Sequence, residues 1–143
     1  MAAYVKINDW VENLAEVVDM DGDTFAVALS NTAPAAEGTP PTGDGDGVLA
    51  NVTQVSYADC SARALTLATS AQTAGTYTVD FNNLVLTSSG TVGPFRYVYV
   101  YDDIPAAPAD PLVCYFDYGS SITLANGETL TIALAVGGLF TIA

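Results

Sequence analysis

The sequence predicts a mainly β protein, an antiparallel β-sandwich of jelly-roll-like type, with one amphipathic helix near the N-terminus. Three observations predict it. From residue 24 onward, apolar residues alternate with period two in short runs separated by Gly, Asn and Ser. Only residues 7–18 follow the helical period instead. Half of the 143 residues are hydrophobic, enough apolar material for one core, so a single domain spanning 1–143 is expected.

The helix comes first. Ile7, Trp10, Val11, Leu14, Val17 and Val18 recur at i, i+3, i+4, i+7, while Asp9, Glu12, Asn13 and Glu16 take the other side. Asn8 or Asp9 can cap its start, and Gly22 in "DMDGD" ends it. Such a stripe must lie on a sheet or on a neighbouring subunit, which makes Trp10 a candidate partner contact.

The sandwich is expected over 24–143. "TFAVALS" (24–30) puts Phe25, Val27 and Leu29 on one face, and "RALTLATS" (63–70) alternates Leu65 and Leu67 with Thr66. "GTYTVDFNNLVLTSSG" (75–90) reads as one or two strands carrying Tyr77, Val79 and Phe81, then Leu84 and Leu86. In "SGTVGPFRYVYVYDD" (89–103), a turn at Gly93-Pro94 leads into a row of Phe95, Tyr97, Tyr99 and Tyr101. Val98 and Val100 alternate with that row, so neither face suits water and a central strand covered on both sides is expected. Exposed tyrosines stacking on sugars, or an oligomer interface, are the functional alternatives. Arg96 cannot lose its charge, so a specific carboxylate partner is expected, in this chain or in another subunit.

Around Asn126-Gly127 a loop of odd length returns Ile122 and Leu130 to one side. The most apolar stretch, 130–143, is too short to span a membrane and reads as two strands around Gly137-Gly138. Two segments lack any period and are expected as exposed loops: "APAAEGTPPTGDGDG" (33–47) and "IPAAPADP" (104–111). Their prolines pre-order the backbone, so Pro40, Pro41, Pro105 and Pro108 join Arg96 and Trp10 as candidate partner contacts.

Sixteen acids stand against three cations, Lys6, Arg63 and Arg96, for a formal charge of −13. That charge repels phosphate backbones and anionic lipid, so neither nucleic acid nor membrane is an expected partner. The acidity serves solubility, or it complements a basic partner surface. No basic-then-apolar start marks a signal peptide. Cys60 and Cys114 stand too far apart for a metal-ligand pair, and free thiols are expected over a disulfide.

The absence of histidine from the sequence removes the commonest general base and metal ligand. Asp102, Asp103 and Asp117 can in principle supply paired carboxylates, but acids flanking strands are mostly solvated surface. Asp19, Asp21 and Asp23 have i, i+2 spacing suited to a hard cation, yet no Glu follows at the required distance. A helix-terminating turn is the expected role of that cluster. No enzyme activity and no cofactor are expected.

The chain resembles the small capsid decoration, or cement, proteins of tailed bacteriophages and related virion proteins. The likeness lies in "INDWVENLAEVV" leading to "TFAVALSNTAP", and continues through "TSAQTAGTYTVDFNNLVLTSSGTVGPFRYVYVYDD" and "PLVCYFDYGSSITLANGETLTIAL". "SSITLANGETLTI" also resembles phage tail-fibre modules. The resemblance implies a homotrimer on the outer surface of the virion, bridging major capsid proteins, with no catalytic residues. A receptor- or glycan-binding module of a tail or head fibre is the alternative, and a non-viral structural or adhesion subunit is a third.

Overall fold

The structure, a computed structural model, describes residues 2–134 and 139–142. It is mainly β, antiparallel throughout, with one short helix near the N-terminus. The largest sheet runs in the order β1 (Ala3–Lys6), β7 (Leu112–Leu124), β6 (Val92–Asp102), β2 (Phe25–Ser30). A three-stranded sheet joins β3 (Leu67–Thr73), β4 (Thr76–Phe81) and β9 (Phe140–Ile142). A two-stranded one joins β5 (Leu84–Thr87) and β8 (Thr129–Ile132).

The expected central strand is β6. It pairs with β7 on one edge and β2 on the other, and every residue from Tyr97 to Asp102 is buried. Directly opposed residues of an antiparallel pair share a face. Leu29, Val27 and Phe25 therefore share one with Val98, Val100 and Asp102. On that face the Phe25 ring lies 5.3 Å from Phe81 of β4 and 6.4 Å from Trp10, giving a sandwich-like layering against the smaller sheets and the helix. The other face carries Tyr97, Tyr99 and Tyr101. Glu37 and Arg63, from the long irregular segment 31–65, lie close to Tyr99 and Tyr101 respectively.

That segment also closes the outer edge of β2. Val55 N–H donates to Leu29 O, Val27 N–H to Arg63 O and Leu65 N–H to Phe25 O, at 3.0, 3.0 and 2.7 Å. Residues 63–65, expected within a strand over 63–70, thus serve as an irregular edge, and β3 begins only at Leu67. The loop 33–47 is likewise less exposed than expected. Pro34, Glu37, Pro41 and Gly47 are buried, and the Glu37 carboxylate accepts from Thr53 N–H (2.9 Å) and Oγ1–H (2.6 Å).

The aromatic row is broken by strand register. Val92 faces Leu124 and Phe95 faces Ile122, so Gly93 and Pro94 together oppose Thr123. Gly93-Pro94 is therefore a bulge inside β6 rather than a turn before it. A second shift lies between Phe95 and Tyr97, where β7 inserts residues 118–121. Phe95 consequently lines the same cleft as Val98, on the opposite face from Tyr97, Tyr99 and Tyr101. Three aromatics share a face, not four.

The helix, α1 (Trp10–Glu16), is shorter than the expected 7–18. Ile7 N–H donates to Val113 O, which extends the β1–β7 ladder and keeps Ile7 out of the helix. The Asp9 carboxylate does not cap. It accepts from Gly45 N–H and Gly47 N–H at 3.0 and 2.8 Å, tying the loop to the helix start. With so short a helix only Trp10 and Asn13 are fully buried, whereas Val11 and Val17 of the expected stripe are exposed.

Strands β7 and β8 do not form the expected hairpin around Asn126-Gly127. Gly127, at φ 82°, and the Glu128 N–H to Ala125 O bond make a turn that passes the chain from one sheet to another. Both flanking strands of 130–143 exist, but β8 pairs with β5 and β9 with β4, and the expected turn at Gly137-Gly138 lies outside the described residues.

Gly93 has φ 119°, and a Cβ there would stand 2.8 Å from Ile122 O. Gly93→Ala should cost about 1–3 kcal/mol in denaturant unfolding. Gly119→Ala, at φ 88° with open space around it, should cost less. Equal costs would show that the close approach at the bulge is not tight.

Candidate partner-binding site

An apolar cleft of about 480 Å³ lies between the largest sheet and β8. Register explains its wall. Tyr4 opposes Phe116, Phe116 opposes Val98, and Phe95 opposes Ile122, so all five side chains project from one sheet face. Tyr4 and Phe116 meet edge-on with ring centroids 5.6 Å apart. Leu130 and Ile132 form the facing wall. Ile122 and Leu130 do face a common space, as expected, but across two sheets rather than within a hairpin. Tyr118 and Tyr4 are exposed, with relative exposures of 55% and 43%. Such a surface is chemically suited to other apolar surface, with the tyrosines at its margin.

The expected contact residues fare differently. Trp10 is 2% exposed and packs edge-on against Phe25 and Phe140, so it is core and not a docking residue. Pro41 is buried; Pro40 and Pro108 are exposed and Pro105 is half-buried. Arg96 finds its carboxylate inside this chain. Its Nε and Nη2 donate to Asp117 Oδ1 and Oδ2 at 2.7 and 2.8 Å, a bidentate pair. Of the two expected places for that carboxylate, this chain supplies it: β7 sits beside β6 and presents Asp117 across from Tyr97. These bonds, with a third from Gly119 N–H, hold Asp117 below the usual carboxylate range.

Asp19, Asp21 and Asp23 form the expected turn. Asp19 Oδ1 accepts from the N–H groups of Asp21 and Gly22, and Asp23 Oδ2 accepts from Asp19 N–H. Among the described residues, no group of three or more acidic, His or Cys side chains can hold a metal ion. Cys60 and Cys114 are free thiols, and complete burial pushes the Cys114 thiol well up. No described helix is long and apolar enough to cross a membrane.

Sequence reasoning missed two features. Strand β1 is only "AYVK" and carries no turn signal before it. Asp102, read as a strand-flanking surface acid, is fully buried. Its Oδ1 accepts from Ile104 N–H at 3.1 Å, whereas Oδ2 has no hydrogen-bond partner among the described residues. Burial, with Asp23 alongside, raises Asp102 well above the usual carboxylate range. Among the known proteins compared, no family model, curated protein or solved structure matches this chain.

A carboxyl whose folded pKa is raised stabilises the fold when protonated, and that stability is lost as pH rises through the folded value. Asp102→Asn keeps the acceptor to Ile104 and replaces the missing proton with an amide N–H. Thermal unfolding should show the variant more stable than the parent at pH 8, by about 1–3 kcal/mol, with the advantage shrinking toward pH 4. A difference independent of pH would mean that the Asp102 pKa is the same in the folded and unfolded chain and is not raised by burial.

Proposed function

We propose that the chain is a non-enzymatic structural protein of a tailed-phage virion. In this reading it binds the outer surface of the assembled capsid as a homotrimer and bridges major capsid proteins. The resemblance of the quoted segments to decoration proteins supports it. The observation that carries it in the fold is the apolar cleft, an open adhesive surface on an otherwise strongly acidic molecule. Acidity suits the outside of a shell, away from packaged DNA. A protein that binds only the closed shell stabilises that shell by mass action. The fibre reading relied on tyrosines or loops meeting the host surface; Tyr97, Tyr99 and Tyr101 are buried, which leaves it the exposed Tyr4 and Tyr118 and the loops.

Purified protein added to capsids that lack it should bind saturably and raise the temperature at which the heads disrupt. The double variant Tyr4→Ser/Tyr118→Ser should weaken binding by roughly tenfold or more, as loss of aromatic anchors does, while retaining the parent's circular dichroism. Binding to host cells or glycans in place of capsids would favour the fibre module, and binding to neither would remove both viral readings.

A further inference from the structure

Four times in this chain an aspartate or asparagine directly precedes a glycine: Asp21-Gly22, Asp44-Gly45, Asp46-Gly47 and Asn126-Gly127. Glycine has no side chain to hinder approach, so its backbone nitrogen can attack the Cγ of the residue before it. The new C–N bond closes a succinimide, and the glycine N–H proton passes to solvent. The leaving group departs as water from aspartate and as ammonia from asparagine. Water then opens the ring at either carbonyl. Opening at the backbone carbonyl leaves an isoaspartate, with one extra carbon in the main chain.

In the fold each of these four nitrogens is engaged. Gly45 N–H and Gly47 N–H donate to Asp9 Oδ1 and Oδ2 at 3.0 and 2.8 Å. Gly127 N–H donates to Ser88 O at 2.8 Å, and Gly22 N–H to Asp19 O and Oδ1 at 3.2 and 3.1 Å. Attack needs the proton removed and the nitrogen turned toward Cγ, and both break that bond. At Asp9 the negative charge of the acceptor also opposes a nitrogen that is losing its proton. Burial does not protect these bonds, since Asp44, Gly45, Asn126 and Gly127 are all exposed. Nor are the two glycines beside Asp9 exchangeable: Gly45 has φ 82°, and a Cβ on Gly47 would stand 2.9 Å from Asp9 Oδ2.

We infer that these four bonds are latent sites of isoaspartate formation that the folded chain holds closed, and that the Asp9 carboxylate closes two of them at once. Asp9 stands at the start of α1, so the chemistry of the distant segment "GDGDG" depends on the docking of loop to helix. An isoaspartate at position 44 or 46 lengthens the loop by one carbon and shifts the following N–H away from Asp9. The first event therefore loosens the guard on the second. The inference holds whichever assembly the chain belongs to.

The test is isoaspartate mapping by mass spectrometry on the full chain, incubated at neutral pH with and without unfolding urea. Each of the four sites should convert roughly tenfold or more slowly in the folded chain than in the unfolded one, as an intact hydrogen bond on the attacking nitrogen requires. Asp9→Ala should speed conversion at 44–45 and 46–47 by roughly tenfold. Asn126-Gly127, guarded by Ser88, should keep the parent's folded rate in that variant. Asp9→Asn keeps the side chain's size but only one acceptor oxygen, and should speed at least one of the pair. If Asp9→Ala unfolds the chain, Asn126-Gly127 accelerates as well, and the parent's folded-to-unfolded ratio and Asp9→Asn then decide. Equal rates in folded and unfolded parent overturn the inference. Unchanged rates at both 44–45 and 46–47 in a folded Asp9 variant overturn the role of Asp9.

Discussion

Burial of β6 on both faces, from Tyr97 to Asp102, is the constraint on which the rest of the molecule depends. A strand with no solvated side needs two covers. The first is regular: the smaller sheets and α1 meet Phe25 and its neighbours through ring contacts. The second is chain with little secondary structure, and such chain must satisfy its own backbone groups. Side chains do much of this. Glu37 holds Thr53, Asp9 holds Gly45 and Gly47, and the Tyr57 hydroxyl accepts from Leu29 N–H at 2.8 Å. Several acids that look like solubilising surface in the sequence are structural ties.

The strand class was legible because period-two alternation survives wherever one face is buried. The double-sided apolar character of 97–102 correctly placed β6 at the centre. What could not be read was parity across irregularities. Gly93-Pro94 looks the same in sequence whether it turns the chain or bulges a strand, and only pairing with β7 distinguishes them. The helix was overextended for a similar reason: Ile7 fits the helical period yet is claimed by the ladder to Val113.

The partner site was less legible still. Its cleft draws on β1, β6, β7 and β8, four segments that no sequence window contains together. The same register shift that broke the aromatic row turned Phe95 into the cleft wall, so one irregularity removed an expected feature and created an unexpected one. Of the prolines in the two loops, Pro40 and Pro108 are exposed as loop residues should be, whereas Pro41 is buried.

The irregular segment along β2 has a consequence for how molecules can join. By occupying the outer hydrogen-bonding row of β2, Val55, Arg63 and Leu65 leave β1 as the unpaired border of the largest sheet among the described residues. A sheet with two open borders can be extended without limit by copies of itself. One with a single open border accepts one addition and then stops. Within the largest sheet that asymmetry confines any added strand to β1, whereas the β3–β4–β9 and β5–β8 sheets keep borders of their own among the described residues.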